Sequence, residues 1–187
     1  MLVLLGKTST GKDTILKEIT KLGLKPIVSY TTRPMRNGEV DGINYHYIDK
    51  SQFRRMKLQG FFAETTSYNV ATGGTWYYGS ALKDMNDDAI VILNPEGLRT
   101  LIENQDVHPI SFLITAKEET LRERLAKRGD NPEEAERRLK ADAEDFSGIE
   151  NIVDFSFSND HGTDVKELSK LIYETYLKAI EARKEDE

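Results

Sequence analysis

An α/β fold with a largely parallel sheet is what this 187-residue sequence predicts. Two observations carry that prediction. Short apolar runs alternate with charged segments of helical period, and the first apolar run leads straight into a glycine loop that opens a helix. In chain order, "MLVLL" reads as a buried strand. "KDTILKEITKLG" reads as a helix with Ile15, Leu16, Ile19 and Leu22 on one face and Gly23 as its stop. Ala89–Leu93 and Ile110–Ile114 read as two more buried strands, followed by the helical segments "EGLRTLIEN" and "KEETLRERLAKR". Asp154–Asn159 reads as a last strand, and "DVKELSKLIYETYLKAIEARK" as a long closing helix with a solvated acidic tip.

The length suits one domain with a sizeable core. The formal charge of −6 argues against nucleic-acid or anionic-membrane binding through bulk charge, but leaves room for a few arginines to dominate one cleft. There is no cysteine, so disulfides and thiolate chemistry are excluded. His46, His108 and His161 lie far apart without ligand spacing. No run has the roughly 20 apolar residues of a membrane helix, and "MLVLL" is too short for a signal peptide, so a cytoplasmic protein is expected.

Two stretches break the alternation. Residues 30–79 are rich in Arg, Tyr, Thr and Gly, with short strand-like pieces ("NYHYI", "FFAETTSYNVAT", "TWYYG") around a helix near Ser51–Leu58. Gly73–Gly74 fits a hairpin turn there. Residues 129–146 are almost wholly charged, with Arg137 and Arg138 inside an acidic helix. Both read as elements mounted on a core formed by residues 1–29, 80–128 and 147–187.

In "LLGKTSTGKDT", Gly6 and Gly11 bracket Lys7, Thr8, Ser9 and Thr10, and Lys12 follows as the helix begins. A strand, a glycine-bracketed loop, a lysine and a helix make a phosphate-binding loop. Backbone N–H groups converge on phosphate oxygens, the helix points its positive end at them, and Lys12 neutralises the β- and γ-phosphates. The pattern asks for Ser or Thr at position 13, whose hydroxyl helps hold Mg²⁺, but this chain has Asp13. A carboxylate suits that hard cation too, so Asp13 is a candidate metal ligand. Thr14 is a further candidate to cap the helix or touch phosphate, but not a like-for-like replacement, because one residue turns the side chain by about 100° on a helix.

The stretch "VSYTTRPMRNGEVDGINYHYI" sets Arg33 and Arg36 three apart beside Pro34, with tyrosines at Tyr45, Tyr47, Tyr77 and Tyr78. The Arg fork and Tyr hydroxyls match phosphate oxygens. A second phosphate site next to the first suggests a kinase acting on an acceptor that already carries a phosphate.

These residues resemble the guanylate kinases, which move the γ-phosphate of ATP to GMP. The similarity spans the glycine loop, "S-x-T-T-R-x-x-R-x-G-E-x-x-G-x-x-Y", "GFFAE", "YYGS", "RLAKRG" with the segment after it, and a late "SND". It implies a P-loop NTPase core, with residues 30–79 as a flap for the nucleoside monophosphate and residues 129–146 as a lid over ATP. It further implies that Arg33, Arg36, Tyr45 and Tyr78 hold the GMP phosphate, and that Ser29, Glu64 and Ser80 read the base, with Glu96 in the same acceptor group. Lys12, Arg36, Arg128 and Arg138 would stabilise the transferring phosphoryl group, and Asn159 would lie near the adenine of ATP. The implied partners are small molecules, ATP with Mg²⁺ and GMP or dGMP, with the protein a monomer or homodimer.

Three departures stand against the family pattern: Asp13, a stretch between Glu64 and Tyr78 several residues longer, and "AIVILNPEG" where the family has Asp-x-Asp. The last leaves Asn94 and Glu96 in a shortened turn. One of the family's aspartates helps read guanine, and the pair lies near the metal. The carboxylate lost at Asn94 is therefore expected to be made up by Asp13. The departures also keep two alternatives open: a same-fold kinase for another nucleotide or a sugar phosphate, and a non-catalytic binding module.

Overall fold

The computed structural model describes residues 1–69 and 73–186. Nine strands and six α-helices follow one another as β1 (Leu2–Leu5), α1 (Lys12–Lys21), β2 (Lys25–Pro26), β3 (Tyr30–Thr31), β4 (His46–Tyr47), α2 (Lys50–Leu58), β5 (Phe62–Asn69), β6 (Thr75–Ala81), β7 (Ala89–Ile92), α3 (Pro95–Glu103), β8 (Ile110–Thr115), α4 (Glu118–Arg128), α5 (Pro132–Asp145), β9 (Phe155–Ser158) and α6 (Val165–Asp186). The expected hairpin turn falls partly on residues 70–72, which lie outside the described residues. Gly73 and Gly74 both take positive φ, 91° and 97°, where a side chain would be strained.

Five strands form a parallel sheet in the order β2-β7-β1-β8-β9. Strand side chains alternate between faces, and on β1 both sets are apolar. Val3 and Leu5 enter a core with Val91, Leu98, Leu101 and Leu113. Leu2 and Leu4 enter the opposite core, with Ile15 and Ile19 of α1 and Leu168, Ile172 and Tyr176 of α6. A strand apolar on both faces is stable only when helices cover both, which is why α1 and α6 take one side and α3 the other. β1 lies centrally, between β7 and β8. The loop after it therefore opens where the chain switches sides of the sheet, the usual location of a ligand crevice in such folds.

A second sheet, β4-β3-β6-β5, comes from the stretch that broke the apolar alternation. β5 and β6 pair antiparallel, with Glu64 opposite Ser80 and Thr66 opposite Tyr78. α2 starts on an Asp49–Gln52 capping box and anchors this sheet through Phe53, which stacks on Phe62 (4.6 Å) and Tyr77 (5.5 Å). Among the described residues no helix is long and apolar enough to cross a membrane.

Candidate active site

The loop between β1 and α1 is shaped by two close approaches. A Cβ at Gly6 would lie 2.5 Å from the Ile114 carbonyl oxygen and 2.6 Å from Thr10 Oγ1; one at Gly11 would lie 2.5 Å from Asn159 Nδ2. No real side chain tolerates these distances, and Gly11 also sits at φ +95° as it caps α1. The loop is clamped from behind. Asn159 Nδ2 donates to the Thr10 carbonyl at 2.8 Å, while the Arg124 guanidinium donates to the Ser9 and Asn159 carbonyls at 3.2 and 2.9 Å. Asn159 is 2% exposed, and its Oδ1 has no protein partner. A buried acceptor left bare is rare and points to a missing donor.

Lys12 folds back across the loop, its Nζ donating to the Gly6 and Lys7 carbonyls at 2.6 and 2.9 Å. Burial lowers the pKa of this ammonium, and the nearby Asp13 and Asp142 carboxylates partly counter that. Asp13 is exposed in the first turn of α1, where a carboxylate also complements the helix dipole. Thr14 is exposed beside it. Asp142 comes from α5, and its Oδ2 accepts a hydrogen bond from the Thr8 backbone N–H. A carboxylate thus occupies a donor of the loop that the sequence assigns to phosphate. Burial raises the Asp142 pKa, against the lowering effect of that hydrogen bond and of Lys12.

Asn94 lines the same cavity as Lys12, with both polar atoms of its side chain engaged. Its Oδ1 caps α3 by accepting from the Gly97 N–H, and its Nδ2 donates to the Tyr68 hydroxyl, both at 2.8 Å. The second carboxylate near Lys12 is supplied by α5 instead of the end of β7.

Arg33 is 5% exposed. It forms a two-pronged ion pair with Glu39 (2.8 and 2.9 Å), with the Tyr45 and Tyr47 rings 5.4 and 5.8 Å from its guanidinium carbon. Glu39 also accepts from the Arg36 N–H (2.7 Å) and the Tyr47 hydroxyl (2.7 Å), and Arg33 above all holds its pKa down to about 2. Arg33 therefore stiffens the loop that displays Arg36, whose own side chain is exposed. Tyr45 packs edge-on against Tyr78 (5.9 Å), and Tyr78 against Tyr68 (5.5 Å).

Beyond these rings lies Glu64, 3% exposed. Burial raises its pKa to about 7, Ser80 hydrogen bonds pull the other way, and Glu96 adds to the rise. Ser29 and Ser80 share a hydrogen bond of 3.0 Å. A single cavity of about 390 Å³ is lined by Gly6, Thr8 and Lys12 at one end and by Ser29, Tyr45, Glu64 and Tyr78 at the other.

Not every candidate meets in that cavity. Glu96 is exposed and lines a separate recess with Arg99 and Glu144. Arg128 is held by Asp130 (Nε–Oδ1 2.6 Å), and Arg138 by Glu134 (2.9 Å) and Asp130 (3.3 Å). Sequence reasoning passed over Asp142, Thr66, Tyr68 and Arg124. Asp142 was lost in a run of charges. Tyr68 sits in the lengthened stretch, where the two-residue steps from Glu64 to Thr66 to Tyr68 are the signal that places all three on one strand face.

A phosphate loop on a parallel sheet, sharing one cavity with a second polar pocket, defines the P-loop nucleoside monophosphate kinases as a class. The comparisons narrow the class: the family profile described as guanylate kinase matches residues 1–175. The chain is 31% identical to the guanylate kinase of Clostridioides difficile strain 630, over 92% of this chain and 86% of that protein. It is 32% identical to that of Chromohalobacter salexigens, over 89% and 79%. A match of 37% to the Alkalilimnicola ehrlichii guanylate kinase spans 60% of this chain and 56% of that one. In three dimensions it superposes on the crystal structure of guanylate kinase from Anaplasma phagocytophilum with a TM-score of 0.68 at 24% identity, covering 96% of this chain and 85% of that one. The chain belongs to the guanylate kinase family.

Proposed function

We propose that the protein transfers the γ-phosphoryl group of ATP to GMP or dGMP. The observation that carries this reading is the shared cavity, in which the glycine loop and Lys12 face a buried carboxylate, Glu64, across a row of tyrosines. Guanine offers N1–H and N2–H on one edge, and an ionised Glu64 accepts both; adenine lacks that pair and would leave a buried carboxylate unpaired.

The acceptor is already an anion, so catalysis needs no strong general base. It needs two phosphates positioned in line and charge stabilised between them. Gly6 to Gly11 present their N–H groups to ATP, and Lys12 turns from the Gly6 and Lys7 carbonyls to the phosphates. Arg33, Arg36, Tyr45 and Tyr78 hold the monophosphate, and Ser29 and Ser80 border the base. Arg128 and Arg138 exchange Asp130 and Glu134 for oxygens of the transferring group as residues 129–146 close as a lid, while residues 30–79 close as a flap and exclude water. Asn159 would lie near the adenine, its side chain bracing the loop through the Thr10 carbonyl.

The donor set suits Mg²⁺, which in kinases takes most of its ligands from phosphates and water and only one or two from carboxylates. Among the described residues no cluster of three or more acidic or His side chains forms a ready cage, but Asp13, whose charge acts on Lys12, would supply one such carboxylate. Held there by Asp13, Mg²⁺ would supply positive charge that offsets the anionic phosphate chain. A cytoplasmic role in purine nucleotide metabolism, as a monomer or homodimer, completes the reading. A coupled assay with ATP–Mg²⁺ against GMP, dGMP, AMP, CMP, UMP and dTMP tests it: turnover should be confined to the guanine nucleotides, and turnover of another monophosphate, or of none, overturns the acceptor assignment.

A further inference from the structure

We infer that Asp142 couples the two substrate sites: the phosphate of the acceptor drives this carboxylate off the Thr8 N–H and so frees the glycine loop for ATP. The helix face turns Asp142 inward. Ala135, Leu139, Asp142 and Phe146 recur at steps of four, three and four, the spacing of one side of a helix. Ala135 and Leu139 pack with Leu121 and Leu125 of α4, and Phe146 enters the core that holds Val3 and Leu5. A carboxylate set in such an apolar stripe costs stability unless a donor meets it. The donor here is the Thr8 N–H, and the charges of Lys12 and Lys7 add attraction.

The charges in the shared cavity make that contact conditional. Among its described lining residues Lys12 is the one cation, against the carboxylates of Glu64, Asp142 and Asp145. Tyr45 and Tyr78, which hold the acceptor phosphate on the reading above, line the same cavity. Arg33 is already paired with Glu39, so the two arginines bring less than their formal charge to that phosphate. A bound monophosphate therefore adds an anion to a space short of cations, where like charges repel more strongly than in bulk water. Of the three carboxylates Asp142 is the one bonded to the glycine loop, and Asp145 already disfavours its charge. Asp142 gives way, and the Thr8 N–H returns to the phosphates of ATP. By linkage, ATP favours the acceptor by the same factor.

This inference rests on GMP as the acceptor, and the same titrations separate the two. Calorimetry gives the Kd of a non-hydrolysable ATP analogue alone, with saturating GMP, and with saturating guanosine, which lacks the phosphate. The factor by which GMP tightens the analogue should be about threefold larger in the wild type than in Asp142→Ala or Asp142→Asn. The second variant keeps an acceptor for the Thr8 N–H but carries no charge. With guanosine the three proteins should agree. Equal GMP factors in the wild type and Asp142→Asn would overturn the inference, as would guanosine acting on the wild type as strongly as GMP. GMP alone is titrated first: no binding to the wild type overturns the acceptor reading, and this inference falls with it.

Discussion

The two ends of the cavity are built by opposite means. The glycine loop is made from eleven consecutive residues, 4 to 14, and its shape follows from local backbone demands: two glycines in contact with neighbouring backbone and side chain, and a helix that begins at Lys12. The base end is assembled from Ser29, Glu64, Tyr68, Ser80 and Asn94, which come from four separate parts of the chain. A local cradle leaves little room to vary without losing phosphate binding. An assembled pocket can exchange one reader for another, and two of the three departures read from the sequence, the longer stretch and Asn94, fall there, the third being Asp13 in the cradle.

The largest expected effect breaks the cradle. Lys12→Ala should lower kcat by about 10³-fold or more, because among the described residues no other ammonium lies across the loop carbonyls. Single-turnover kinetics check this, and retention of most of the wild-type kcat would remove Lys12 from the chemistry. Next comes the carboxylate at the base end. Glu64→Gln should lower kcat/KM for GMP about a hundredfold while leaving ATP binding unchanged.

Glu64 also gives the base end a pH dependence. Its folded-state pKa is about 7 against an ordinary 4.5, so the folded protein holds a proton that the unfolded chain has released between those values. Stability therefore falls as pH rises through that window, by about 3 kcal/mol at pH 8. Glu64→Gln should be the more stable protein at pH 8, and the difference should fade towards pH 4.5; denaturant titrations at the two pH values measure it. GMP binding has the opposite slope. It requires the ionised carboxylate, so kcat/KM for GMP should rise from pH 6 to pH 8 in the wild type and lose that rise in the variant.

The smallest expected effect sharpens the comparison by testing the link between lid and cradle. Asp142→Ala should tighten ATP binding about threefold, since a carboxylate no longer competes for the Thr8 N–H. Calorimetry with a non-hydrolysable ATP analogue reads it directly, and weaker binding would mean that Asp142 helps the nucleotide instead.

What was legible in the sequence follows the same division. The parallel sheet could be read because β1, β7 and β8 are apolar on both faces, and the loop because its residues are contiguous. Glu64 was found only through its place in "GFFAE"; nothing in its own neighbourhood says that it is buried. The pairing of Asn94 with Tyr68 was out of reach, because 26 residues separate them and the contact depends on how the hairpin leans over α3. The same distance hid Asp142, 134 residues from the amide it meets. The two-residue strands β2 and β3 were missed for a different reason. They are too short to show a period, and their pairing with β7, β4 and β6 defines them.

The Asp142–Thr8 contact has a consequence for how the resting enzyme is tuned. A carboxylate carried on α5 acts as a built-in competitive inhibitor whose local concentration never dilutes. The observed affinity for ATP is then the intrinsic affinity multiplied by the fraction of time that α5 is away. Arg138 rides on the same helix with its partner Glu134, so on the proposed reading one movement of α5 withdraws the carboxylate and shifts the arginine together.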